Sequence, residues 1–185
     1  MPVDSIRLSM EIKTERLLLR QWKEDDFEIF ANINADVDVM EFYPNIQSSE
    51  ESLKMAQTFQ HLILQKGWGF WAVETLCDNS FIGFVGLHEP AYDLPVTPCV
   101  EVGWRLSKES WGKGYATEAA KAALNFAFNE LKLEYVYSFT SVTNVRSISV
   151  MEKIGMENTG ENFDHPIIPK GHSLSEHVLY RIRSV

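Results

Sequence analysis

Apolar residues return at two different periods along this chain, and the switch between the periods marks most of its elements. Between Cys99 and Leu106, Val100, Val102, Trp104 and Leu106 alternate with Glu101, Gly103 and Arg105, the two-residue period of a strand covered on one face. Beyond a short glycine-containing segment the period lengthens. Ala116, Ala119, Ala120, Ala123, Leu124, Ala127, Phe128 and Leu131 follow the i, i+3, i+4, i+7 rule of an amphipathic helix, whose small residues permit close packing on a sheet.

The same reading extends to both ends. Thr14–Trp22 is a short apolar run bounded by charges and predicts a first strand. A helix over 24–35 follows, with Asp25 and Asp26 in its first turn and Phe27, Phe30, Ala31 and Asn34 on one face. After the break at Tyr43-Pro44, Ser48 and Glu51 form a capping box for a second helix, which presents Leu53, Ala56, Phe59 and Ile63 and stops at Gly67. Phe70–Glu74 and Ser80–His88 read as hairpin strands joined through Cys77-Asp78-Asn79. The proline-rich segment 89–98 predicts a loop bordering the substrate side. Glu134–Ser141 is a further strand, and Asn144 opens a helix that buries Ile148, Met151 and Ile154 before Gly155 ends it. A loop over 163–173 and a last alternating strand over 176–183 complete the chain. The order β-α-α-β-β-β-α-β-α-β predicts an α/β (α+β) fold with a mixed, mostly antiparallel sheet flanked by helices.

Composition narrows the possibilities. With 185 residues, 45% apolar and 23% charged, the chain fits one domain over 1–185, its first ten residues forming a flexible edge. Neither a signal peptide nor an 18-residue apolar run is present, which predicts a soluble cytoplasmic protein without a membrane partner. Cys77 and Cys99 have no zinc-like spacing and read as small, buried, reduced thiols. His165, His172 and His177 match no metal-ligand pattern, so no metal is expected. A net charge of −9 argues against nucleic acid and allows an amine-bearing substrate.

The segment joining the alternating strand to the alanine-rich helix carries the chemistry. Trp111-Gly112-Lys113-Gly114-Tyr115-Ala116-Thr117-Glu118 places two glycines at the start of a helix, where free N–H groups and the helix dipole favour a phosphate. Position 117 is Thr, so the G-x-G-x-x-G dinucleotide pattern is absent, and Lys113 is not followed by Ser or Thr as in a P-loop. The spacing instead resembles the acyl-CoA loop of the GCN5-related N-acetyltransferases (GNAT), with Trp111 standing where Gln or Arg commonly opens that motif. Asn144-Val-Arg-Ser147-Ile-Ser-Val-Met151-Glu-Lys153-Ile-Gly155-Met156 resembles a second segment of the same family, N-x-x-[AS]-x-x-x-[YL]-x-K-x-G-[FM]. With Thr14–Arg20, the two motifs are similar to the branch typified by ribosomal-protein N-terminal acetyltransferases.

This resemblance implies a V-shaped acetyl-CoA cleft between the fourth and fifth strands, 99–106 and 134–141, opened by a bulge near Gly103. It implies that Trp104, Arg105 and Leu106 run beside pantetheine. Trp111, Gly112, Lys113, Gly114, Tyr115, Ala116 and Thr117 would surround the pyrophosphate, and Asn144 and Ser147 would lie on the cofactor's far arm. It further implies acetyl transfer to a primary amine, either a protein N-terminal α-amine or a small molecule such as an amino acid, polyamine or antibiotic, by a monomer or homodimer. A non-catalytic acyl-CoA sensor is the alternative. Glu101 and His88 are competing candidates for the general base; Glu101 alternatively pairs with Arg105 as an exposed strand residue. Met151 occupies the position where many relatives carry an acid tyrosine, and Ser147, one turn earlier, is the remaining hydroxyl. Trp22, Phe42, Tyr43, Trp68 and Trp71 are candidates for an aromatic acceptor pocket, although aromatics of this kind are mostly core.

Overall fold

A computed structural model describes residues 11–184; the expectation of a flexible edge over 1–10 lies outside the described residues. The strands are β1 (Ile12–Lys13), β2 (Leu17–Arg20), β3 (Phe70–Thr75), β4 (Phe81–His88), β5 (Glu101–Leu106), β6 (Tyr135–Ser141), β7 (Glu157–Asn158), β8 (Phe163–Asp164) and β9 (Glu176–Arg183). The helices are α1 (Glu24–Ala35), α2 (Ser49–Lys66), α3 (Tyr115–Asn129) and α4 (Val145–Lys153). They flank one sheet of order β1-β2-β3-β4-β5-β6-β9-β7, with β8 also on β9. Its pairings are antiparallel except for β5 against β6.

β3 and β4 are buried along nearly their whole length, which is why they read as continuous apolar runs and not as alternating ones. One face meets α1 and α2: Phe59 packs on Phe70 at 5.1 Å and Phe30 on Phe84 at 5.8 Å between ring centroids. The other meets α3, where Phe126 stands edge-on to Trp71 at 5.3 Å. The alanines Ala119, Ala120, Ala123 and Ala127 are fully covered and bring α3 close to the sheet. Helix ends follow the sequence signals. Ser48 and Glu51 close the capping box of α2, and Gly67 ends it with φ 81°.

Asp26 does more than favour the first turn of α1. Its carboxylate accepts from the Lys23 N–H at 2.8 Å and pairs with Arg20 at 2.7 Å, while Arg20 also reaches Glu74 at 2.7 Å. This buried guanidinium therefore has two carboxylates, the arrangement that makes a buried charge tolerable.

The expected cleft is present but the expected bulge is not. β4 and β5 keep one register from Gly83↔Leu106 to His88↔Glu101, and the sheet's recorded register shift lies at Val73/Glu74. Gly103 instead accommodates a ring, since a Cβ there would meet Phe70 at 3.1 Å. The opening arises because β5 and β6 share a single pair, Glu101↔Tyr137, supported by the Tyr137 N–H to Val100 carbonyl bond at 3.0 Å and the Ser138 hydroxyl to Val102 carbonyl bond at 2.9 Å. Beyond Val102 the strands part. The 163–173 segment is not all loop, because Phe163 and Asp164 pair with His177 and Glu176, a two-residue strand too short to show a period. β1 and β7, also two residues each, escaped for the same reason.

Candidate active site

The segment after β5 makes a 3-10 turn over Lys108–Ser110 and then enters α3 through Gly112 at φ 73° and Gly114 at φ 79°. Left-handed backbone at both glycines turns the chain sharply here, and the N–H groups from Gly112 to Thr117 find no backbone acceptor among the described residues. α3 has no side-chain cap at this end. Its dipole and its free donors thus face a cavity of about 890 Å³. Arg16, Lys121, Arg146 and Lys153 line this space, whereas the one acid of the first turn, Glu118, is held by Arg16 at 2.7 Å. The donor set and the charge balance fit a pyrophosphate.

Of the residues expected around the cofactor, Trp104, Arg105, Leu106, Trp111, Gly112, Gly114, Tyr115, Ala116, Thr117, Asn144 and Ser147 border this one cavity. Lys113 does not; its carbonyl accepts from the Arg16 guanidinium at 2.9 Å and ties the loop to the start of β2. The departure at Trp111 has a structural reason. Its indole N–H donates to the Leu106 carbonyl at 3.0 Å, and the Arg146 guanidinium lies 4.5 Å from its ring centre.

Across the cleft, Asn144 caps α4 by accepting from the Ser147 N–H at 3.2 Å, while its amide donates to Ser147 Oγ at 3.1 Å and to Thr140 Oγ1 at 2.9 Å. Ser147 Oγ is used as an acceptor, which leaves its own proton free to be donated. Met151 is 1% exposed and packed in the core, away from the cavity wall that Ser147 joins.

Glu101 and His88 prove to be a pair rather than rivals. As cross-strand partners they place His88 Nδ1 3.0 Å from Glu101 Oε1, and the His88 ring stacks on Phe70 at 5.1 Å. Glu101 is neither exposed nor paired with Arg105; burial pushes its carboxyl pKa up, opposed by His88. It stands at the one residue pair that β5 shares with β6, the narrow end or apex of the opening between the two strands, and neither it nor His88 borders the cavity of about 890 Å³ that the glycine loop faces.

Sequence reasoning missed the side chains that surround this apex. In the 89–98 loop, Tyr92 hydrogen-bonds His165 through its hydroxyl at 3.2 Å, and His165 packs on His177 at 4.8 Å between ring centroids. Burial holds the Tyr92 hydroxyl far above its usual range, with Glu101 contributing, and lowers His165 to about 4. Among the five candidate aromatics, Phe42 and Tyr43 border the cavity, Trp22 and Trp71 are core, and Trp68 is half-buried against the core with the Lys66 ammonium over its ring. Cys77 is exposed, against expectation, and Cys99 is half-buried with its thiol pushed up to about 11 by burial and Glu101. Among the described residues no three His, Cys, Asp or Glu side chains are disposed around a metal ion, and no helix is long and apolar enough to cross a membrane.

A family model described as an acetyltransferase (GNAT) domain matches residues 16–157. An uncharacterised N-acetyltransferase of Bacillus subtilis, YnaD, is 30% identical over 173 residues, covering 94% of this chain and 96% of its own. A solved acetyltransferase of the same family from Bacillus anthracis superposes with a TM-score of 0.77 at 29% identity, over 94% of this chain and 98% of that one. The fold is shared with a ribosomal L7/L12 α-N-protein acetyltransferase solved with coenzyme A, with TM-score 0.73, 16% identity and coverage of 94% and 98%.

Proposed function

The chain belongs to the GNAT acetyltransferase family, an acetyl-CoA-dependent N-acetyltransferase, and from that premise we propose that it acetylates the α-amine of a peptide or protein by direct attack in a ternary complex. Acetyl-CoA supplies the activated thioester. The N–H groups of Gly112–Thr117 hold its pyrophosphate, and the parting edges of β5 and β6 receive its pantetheine arm.

The observation that carries the proposal is the Glu101–His88 pair at the apex of the cleft. An amine is mostly protonated near neutral pH and attacks only after losing a proton. A carboxyl group raised by burial is a better acceptor for that proton than an exposed one, and His88, 3.0 Å away, is placed to pass the proton on. The C–N bond forms, the C–S bond breaks, and the departing thiolate is protonated by water, directly or through the Ser147 hydroxyl as it recovers a proton from solvent. Cys99 has no part in this as a nucleophile, because its thiol stays protonated near neutral pH. A non-catalytic acyl-CoA sensor has no use for a buried base at this point.

Glu101→Gln tests the reading. Thiol release in the presence of peptide acceptors is expected to fall about 10²- to 10⁴-fold while calorimetric affinity for acetyl-CoA persists. Equal turnover by wild type and variant removes Glu101 from the mechanism, and absence of turnover in wild type with every amine favours the sensor.

A further inference from the structure

Two arginines are buried among the described residues, and they are treated differently. Arg20, 3% exposed, is matched by Asp26 and Glu74. Arg105, 7% exposed, has no carboxylate within ion-pair distance among the described residues, in a chain with 26 acidic residues to draw on. Its Nη1 donates to the neutral Asn34 Oδ1 at 2.8 Å and approaches Met55 Sδ at 3.7 Å, while its Nε is buried with no acceptor at all. The guanidinium is otherwise sandwiched by rings, 4.3 Å from the centre of Tyr43 and 5.5 Å from that of Phe84. A buried cation without a counter-charge is costly, so the site is complete only when an anion enters.

We propose that Arg105 is the acceptor-recognition residue, its side chain holding a carboxylate of the amine substrate while the amine reaches Glu101. The proposal rests on the acetyl-transfer reading above and names the acceptor class within it. Arg105 and Glu101 lie on the same face of β5, four residues and about 13 Å apart along the strand. Between them the Phe70 ring, 9% exposed, fills the space over Gly103, an apolar patch with a cation at one end and a base at the other. Less about 3 Å for a hydrogen bond at each end, that length suits the first two residues of a peptide, extended with the amine toward Glu101. Tyr43, which covers the guanidinium, also borders the cofactor cavity, so the site opens toward the reacting group. The cofactor's phosphates do not need Arg105, because Arg16, Lys121, Arg146 and Lys153 stand on the glycine-loop and α4 walls. The backbone of Arg105 remains free to run beside pantetheine. A guanidinium in this place repels a polyamine, whose charges are all positive.

Matched acceptors test this. Free amino acids are compared with their α-amides, and tetrapeptides bearing Asp or Glu at the second residue with their Asn or Gln counterparts. In wild type the carboxylate partner of at least one pair is expected to have a kcat/KM about 10- to 100-fold above the neutral partner. The first pair reports a free α-carboxylate and the second an acidic side chain. Arg105→Met, which suits the ring sandwich, is expected to bring that ratio to within about twofold of one, and Arg105→Lys to restore part of it. A wild-type ratio of one in both pairs, a ratio that survives in Arg105→Met, or faster transfer to spermidine than to either acid overturns the inference and leaves acetyl transfer standing. Should no acceptor be turned over, which sinks the acetyl-transfer reading, calorimetry of the N-acetylated acids against their amides in the presence of coenzyme A still decides: preference for the acid that vanishes in Arg105→Met supports the recognition site, and equal binding overturns it.

Discussion

The two ends of the cleft are built from different materials. At the glycine-loop end the proposed pyrophosphate contacts come mainly from the backbone of one stretch, 112–117, with its positive-φ glycines, uncommitted N–H groups and helix start, and the Arg16, Lys121, Arg146 and Lys153 side chains stand around it. At the proposed acceptor end the groups are side chains delivered by distant segments. His88 and Glu101 come from neighbouring strands, Arg105 is backed by Asn34 71 positions earlier, and Tyr92 meets His165 73 positions later. A backbone site recognises a group that every donor molecule of the class carries, and a side-chain site can be redrawn one residue at a time without disturbing the first. Cofactor affinity and acceptor choice should therefore be separable by mutation.

The largest expected separation sets Glu101→Gln, which strikes turnover and spares cofactor affinity, against Gly114→Val, which should do the reverse. At φ 79° a β-branched residue is strained, by about 1–3 kcal/mol, and its branch would stand over the phosphate site. Acetyl-CoA affinity is expected to drop about 10- to 100-fold by calorimetry, with kcat at saturating acetyl-CoA within a few-fold of wild type. A Gly114→Val protein with unchanged affinity would reduce the glycine loop to a structural turn.

The same contrast explains what could be read from the chain before folding. The strand at 101–106, the glycine loop and the helix at 115–129 announce themselves because pattern, turn and helix start are contiguous and each has a local physical cause. The cleft was legible through its motifs, yet its cause was not: the family resemblance implied a bulge near Gly103, whereas this glycine makes room for Phe70, a residue 33 positions earlier. Glu101 and His88 were both visible as chemistry, but their pairing depends on the β4–β5 register, which no local feature states. The 89–98 loop is expected beside the substrate and His165 is weighed as a metal ligand, but nothing in the sequence signals that Tyr92 and His165 meet, since a tyrosine among prolines and a histidine beside a proline are ordinary loop residues. Two-residue strands such as Phe163–Asp164 are too short for any period to appear.

A smaller effect distinguishes the ends by their response to acid. His165 is held neutral by burial and by His177, down to about 4, against 6.5 for an unperturbed imidazole. Between these values the unfolded chain binds the proton that the folded chain refuses, so stability falls as pH drops from about 6.5 toward 4 and this contribution is level above. In thermal denaturation across this range, the difference in Tm between wild type and His165→Asn is expected to be constant above pH 6.5 and to shift in favour of the variant as the solution is acidified. Parallel curves would mean that His165 is solvated and that the Tyr92–His165–His177 cluster does not close the apex.

The smallest expected effect probes the assumption that the glycine loop is shaped by its own backbone alone. Glu118 accepts from the Thr14 hydroxyl at 2.7 Å and from the Arg16 N–H at 2.9 Å, and the Arg16 guanidinium in turn holds the Lys113 carbonyl at 2.9 Å. The loop is thus braced by the chain entering β2, through a pair whose arginine side chain is 45% exposed. An exposed pair contributes little, and Gln keeps the shape of Glu while removing its charge. Glu118→Gln is expected to weaken acetyl-CoA binding only about two- to fivefold, with the deficit shrinking as salt is raised, because screening removes from wild type what the mutation removes from the variant. A deficit near that of Gly114→Val, independent of salt, would show that the loop's shape is imposed by this brace and not by its own glycines, and the division between a backbone end and a side-chain end would no longer hold.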